Sequence, residues 1–151
     1  MAPTLDWALC LLANILLTYI PHLFLRVPAV HAKLAADHKK SEKGLKGYSL
    51  SFPRLAQAAA ADDTPEGKYI SSLNGHHANS HEVFPLIAAA CIAAAVRGVT
   101  ADTINMWATA FTVSRVAYTL CYLGGVSSVR PLVWVAGLLI VGRLLALAAG
   151  Y

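Results

Sequence analysis

The chain has 151 residues, of which 57% are hydrophobic and 13% charged, and its formal net charge is +4. Soluble domains carry about 25% charged residues, so this composition excludes an ordinary soluble globular domain and points to an integral membrane protein. The basic residues cluster in one loop instead of forming a spread basic surface, so a nucleic-acid partner is not expected.

The first apolar stretch, about residues 7–26, is long enough to cross the ~30 Å hydrocarbon layer, which needs about 20 helical residues. It has no cationic leader and no small-residue cleavage site, so a retained helix is expected instead of a signal peptide. Asn14 in its middle is a candidate for an interhelical hydrogen bond. Pro21 can kink its end, and His22 and Arg26 follow near the interface, as headgroup contacts or as parts of a polar pocket.

From Val27 to about Ser71 the character changes: Lys33, Lys39, Lys40, Lys43, Lys46, Arg54 and Lys68 are seven of the 12 basic residues. This segment is expected to stay in water as a long cytosolic loop, either a linker or a lid over a site. A flexible turn is expected over residues 39–47 and a short helix over Leu55–Ala61.

Asn74-Gly-His-His-Ala-Asn-Ser-His-Glu-Val-Phe-Pro85 then sets three histidines, amides and a carboxylate against the pure hydrocarbon of Leu86 to Val96. The hydrocarbon run is too short to cross alone, so the second span is expected to start near His77 and cover about 77–96. That start draws Asn79 and Glu82 to membrane depth, where an ionisable side chain is a functional candidate that needs a partner. Two further spans are expected over about 103–123 and 131–150, with hairpin connections between neighbours. The fold expected is therefore all-α, a four-helix transmembrane up-and-down bundle in one domain over 1–151, with a long cytosolic loop between helices one and two. The positive-inside rule places that loop and the Arg130 turn in the cytosol. Cys10, Cys91 and Cys121 each fall in an apolar segment, an odd count with no short spacing, which supports neither a disulfide framework nor a zinc knuckle.

This topology brings His22 and Arg26, Asn79 and Glu82, Arg115, Tyr118 and Tyr122, and Arg130 and Trp134 to the same half of the bundle. Arg115, Tyr118 and Tyr122 share one helical face through their i, i+3, i+7 spacing, as Asn79 and Glu82 do on theirs. A mid-span arginine costs roughly 2.5–3.5 kcal/mol on insertion scales, so Arg115 is expected to face inward and to pair with Glu82. Such a pair can be purely structural. Two arginines, two phenols, an amide and a carboxylate exceed what one bridge requires, and they suit a small ligand carrying carboxylates and an amine.

At these residues the chain resembles the MAPEG family, the membrane-associated proteins of eicosanoid and glutathione metabolism. The resemblance rests on Asn79-Ser-His-Glu82-Val-Phe-Pro85, on Arg115-Val-Ala-Tyr-Thr-Leu-Cys-Tyr122 and on Arg130, in that order. Pro21-His22 and Pro53-Arg54 look like the fungal-type branch. The resemblance implies a homotrimer in an endomembrane such as the endoplasmic reticulum, with glutathione as cosubstrate and a lipophilic small molecule or membrane lipid as partner. It implies Asn79, Glu82, Arg115 and Tyr118 as glutathione-binding residues, with Tyr122 and Arg26 in the same polar layer, and Arg130 as the arginine that stabilises the thiolate in glutathione transfer or peroxide reduction. A fixed cation favours the ionised, nucleophilic thiol. Where catalytic members have arginines upstream of Asn79, this chain has Ser72, Gly75 and His76, leaving His77 or Lys68 as substitutes. After Arg130 it has Pro131 and Trp134 where synthase members often have serine and tyrosine.

Two other classes compete. His77 and His81 lie i, i+4 with His76 adjacent, a spacing that can chelate a metal and so suits a membrane metalloenzyme. The family also contains members that bind lipid without catalysis, and a non-catalytic scaffold could assemble through small residues such as Gly137 and Gly142. Arg143, in the far half of helix four, is expected to snorkel outward or to pair across subunits.

Overall fold

A computed structural model describes residues 5–40, 63–126 and 128–151, with the side chains of 37–40 left undescribed. Among these residues every regular element is helical. The elements are α1 (Trp7–Pro21), a π-helical turn (His22–Arg26), α2 (Val27–Lys40), α3 (Pro65–Val96), α4 (Ala101–Leu123) and α5 (Arg130–Ala149). The first three join end to end, so four helical rods are present among the described residues.

Two boundaries differ from the sequence expectation. The segment after Arg26 is not loop: α2 carries the first rod on to Lys40. The second rod starts at Pro65, well before His77. Charge made these stretches look aqueous, but being soluble does not prevent a segment from being helical. Thr64 accepts the Gly67 N–H on Oγ1 at 3.1 Å, Pro65 takes the first helical position and Glu66 lies in the first turn, which together start a helix firmly. Of the turn expected over residues 39–47, Lys39 and Lys40 are instead the last residues of α2, while 41–47 and the Leu55–Ala61 helix lie outside the described residues.

The π-helical turn sits between two prolines. Neither Pro21 nor Pro28 has an N–H to donate, so the usual ladder is interrupted at both, and between them the Val27 N–H reaches back five residues to the His22 carbonyl.

The chain divides into two compact units, one built from the stretch up to Thr18 with Ala78–Tyr151 and the other from Tyr19–His77. In the first unit, parts of all four rods form the bundle. The α3–α4 connection is only residues 97–100 and the α4–α5 connection only 124–129, so each pair runs antiparallel. Gly98 and Gly125 make these reversals possible, at φ 77° and 67°. At each, the following amide returns to a carbonyl five residues back, Val99 N to Ala94 O and Val126 N to Cys121 O, a helix stop that needs a left-handed residue. The α1 rod runs alongside α4 in the same direction: the Trp7 N–H donates to Asn105 Oδ1 at 2.9 Å and Asn14 Nδ2 to Thr112 Oγ1 at 2.9 Å. Up-and-down order follows.

Each rod buries one narrow stripe. Cys10 of α1, Val83, Ile87, Ala90 and Ala94 of α3, Ile104, Ala108 and Phe111 of α4, and Val141, Leu144 and Ala148 of α5 form the apolar core of the bundle. Large apolar side chains instead point outward, among them Leu9, Leu12, Leu16, Val113, Leu120, Leu132 and Leu139. Polar groups inside and leucine outside is the pattern expected when the solvent is hydrocarbon. Three rods are long and apolar enough to cross a membrane, within Trp7–Ala36, Pro65–Val96 and Arg130–Ala149. The α4 helix, 23 residues or about 34 Å long, has the length as well; its buried polar stripe is what lowers its hydropathy.

Candidate functional site

The lower half of α4, after the apolar Phe111, turns polar on the same inward face: Thr112, Arg115, Tyr118, Thr119 and Tyr122 are all buried. Arg115 is 4% exposed. Its Nη2 donates to Ser80 Oγ on α3 at 3.1 Å, and its guanidinium lies over the Tyr118 ring at 4.0 Å. The Tyr118 hydroxyl donates to the Tyr122 hydroxyl at 3.3 Å, and Asn79 Nδ2 donates to that same oxygen at 3.0 Å. From α5, the Arg130 guanidinium covers the other phenol, 4.5 Å from the Tyr122 ring centroid. Two cations therefore face two electron-rich rings; hydrogen bonds link α3 to α4, and the Arg130 ring contact adds α5.

Beside this chain opens a cleft of about 360 Å³ lined by Asn79, Tyr118, Tyr122, Arg130, Pro131 and Trp134. Its size falls within the range of small-molecule sites. Trp134 lies one turn after Arg130, and among the described residues its buried indole N–H has no hydrogen-bond partner. The cleft thus presents a guanidinium, two phenols and an amide beside an indole wall, a set suited to an anionic ligand.

A model of the MAPEG family matches residues 7–150. The chain belongs to the MAPEG family. It is a multi-pass membrane protein of the family named for eicosanoid and glutathione metabolism. No curated protein matches it. No solved structure does either.

The structure joins Asn79, Tyr118, Tyr122 and Arg130 at one MAPEG cleft and sets Arg115 behind Tyr118. The expected Glu82–Arg115 pair does not form. Glu82 is exposed, whereas Arg115 is buried against Ser80. The reason is helical phase. Ser80 shares the inward stripe of Val83 and Ile87, while Glu82, two residues on, is turned about 200° around the helix. Ser80 was the partner that sequence reasoning missed, although its i, i+3, i+7 relation to Val83 and Ile87 carried the signal. Trp134 was expected in one layer with Arg130, and the fold makes it a wall of the cleft.

Arg26 and His77 belong to the other unit and form a cluster there. Arg26 is buried, with Nη1 against His22 Nδ1. His22 stacks on His77 at 4.1 Å with 24° between the rings, and Tyr19 meets His77 edge-on at 5.6 Å. His77 thus spends its ring face on aromatic packing, while His81, the other half of the i, i+4 pair, is exposed. Among the described residues no three His, Cys, Asp or Glu side chains come together in a way that could hold a metal ion. Gly137 also differs from the scaffold expectation: it is buried within the chain, where a Cβ would lie 3.5 Å from Ser114 Oγ and 3.6 Å from Phe111, so its small size serves α4–α5 contact. Arg143 and Arg97 gain roles near the end of α5, donating to the carbonyls of Tyr151 and Ala148, both at 3.1 Å. Cations suit a helix C-terminus.

Proposed function

We propose that this MAPEG protein binds glutathione in the cleft of Asn79, Tyr118, Tyr122 and Arg130, and transfers it to, or uses it to reduce, a lipophilic substrate. The observation that carries this reading is the convergence of Arg130 and Asn79 on the Tyr122 phenol at the wall of an open cleft, in a chain of this family. Arg130 is the cation to hold the sulfur as thiolate, since a fixed positive charge favours the ionised form. Trp134 walls the cleft one turn away, in place of the tyrosine of the synthases. Arg115 acts from behind, holding Tyr118 in place through its ring contact.

Glu82 supports an assembled form. A carboxylate exposed on a membrane rod is costly in hydrocarbon, so it requires a ligand amine or a neighbouring subunit to cover it. A homotrimer in an endomembrane, with Glu82 completing the glutathione site at the subunit boundary, satisfies that requirement. Arg26 and His77 then serve as packing groups of the second unit and not as first contacts of the ligand.

The test is thermal unfolding of the detergent-purified protein with and without reduced glutathione. Stabilisation in wild type that disappears in Tyr122→Phe and in Glu82→Gln supports binding; no shift in wild type ends the proposal. For turnover, conjugation to a model electrophile or reduction of a lipid hydroperoxide should fall at least about a hundredfold in Arg130→Ala, the scale seen when one preorganised donor to a developing anion is removed.

A further inference from the structure

A second cavity, of about 400 Å³, lies within the unit Tyr19–His77, between α2 and the first turns of α3. One wall is alanine: Ala29, Ala32 and Ala36 recur at i, i+3 and i+7 on α2, and side chains that stop at Cβ leave the space open. Lys33 stands on that wall, only 9% exposed. Its Nζ donates to Thr64 Oγ1 at 3.0 Å, the same oxygen that accepts the Gly67 N–H. The lysine tip is therefore held in a fixed place inside the cavity. From α3 the cavity is lined by Glu66 and Tyr69, three residues apart and both exposed. A carboxylate beside an aromatic face is the pairing that takes an amine or a quaternary ammonium.

The cavity thus has two poles with opposite preferences. A simple anion would meet Glu66, and a simple cation would meet Lys33. A zwitterion with phosphate and ammonium ends satisfies both. Position selects the source: the two walls belong to the membrane-length helices Trp7–Ala36 and Pro65–Val96, at the last turns of one and the first turns of the other. The ends of such helices are where lipid headgroups lie. We propose that this cavity binds the headgroup of a zwitterionic phospholipid, with Lys33 and Thr64 at the phosphate, Glu66 and Tyr69 at the ammonium, and the glycerol end along the alanine wall. This site is separate from the glutathione cleft and does not depend on it.

Native mass spectrometry of the delipidated full-length protein, titrated with phosphatidylcholine, phosphatidylethanolamine and phosphatidylglycerol of equal chain length, tests the assignment. Either zwitterionic lipid should bind about tenfold tighter than phosphatidylglycerol, a difference of about 1.4 kcal/mol. Lys33→Met should lower the affinity for all three, and Glu66→Gln should erase the preference while leaving phosphatidylglycerol bound. Equal binding of the three lipids by wild type, or an unchanged preference in Glu66→Gln, overturns the proposal. If Lys33→Met does not fold, the exposed Glu66→Gln decides alone. Soluble phosphocholine that displaces the lipid supports headgroup recognition; lipid that stays bound against millimolar phosphocholine places the affinity in the acyl chains and rejects it.

Discussion

At the scale of single residues, the decisive fact is which polar group each buried side chain meets. Arg115 found Ser80 and an aromatic ring instead of a carboxylate. Its charge is therefore shared among dipoles and a ring quadrupole, and Glu82 is left available at the surface. Ser80→Ala should cost about 1–3 kcal/mol, because it strands a buried guanidinium donor, measured as loss of unfolding free energy in detergent. Glu82→Gln should leave the stability of the ligand-free protein unchanged; a loss as large as that of Ser80→Ala would mean that Glu82 has a partner within the chain. Tyr122→Phe removes the hydroxyl that both Asn79 and Tyr118 use as acceptor, and should cost about 1–3 kcal/mol while distorting the cleft.

At the scale of elements, the helices associate through polar and small-residue contacts, because apolar burial gives little drive between helices that lie in lipid. The Asn14–Thr112 bond between α1 and α4 is the clearest example, with both partners buried. A double-mutant cycle of Asn14→Ala and Thr112→Val should return a coupling of about 0.6 kcal/mol, the average for such bonds in a membrane bundle. Gly137 faces Phe111 and Ser114 of α4 with room for one methyl group. Gly137→Ala should be tolerated or mildly stabilising, since its Cβ would meet Ser114 and Phe111 at ordinary contact distance. Gly137→Leu should cost about 1–3 kcal/mol by overpacking, visible as a lower unfolding midpoint. If the two variants behave alike, the close approach does not matter. The composition of α4 makes sense in these terms. Its inward face trades hydropathy for the site, while its outward face, with Met106, Val113, Val116 and Leu120, stays apolar.

At the scale of the whole molecule, family membership, the outward-facing leucines and the lengths of the rods agree on a membrane-embedded helical protein. Cross-linking or light scattering of the detergent-purified protein should report a trimer; a strictly monomeric protein that still binds glutathione would remove Glu82 from the site.

Much of this was legible from the order of residues alone. Apolar runs of about 20 residues and short glycine-bearing connections settle the number and direction of the rods, because the bilayer fixes the length that must be covered and the left-handed turn fixes where a helix can stop. The i, i+3, i+7 spacing of Arg115, Tyr118 and Tyr122 placed them on one face for the same geometric reason. Local sequence did not determine the rotation of one rod against another. That phase decided that Ser80 and not Glu82 meets Arg115, that Trp134 walls the cleft beside Arg130, and that three alanines leave a cavity beside Lys33. Periodicity describes one helix about its own axis, whereas a site is made where the faces of several helices meet, and only packing chooses which faces those are.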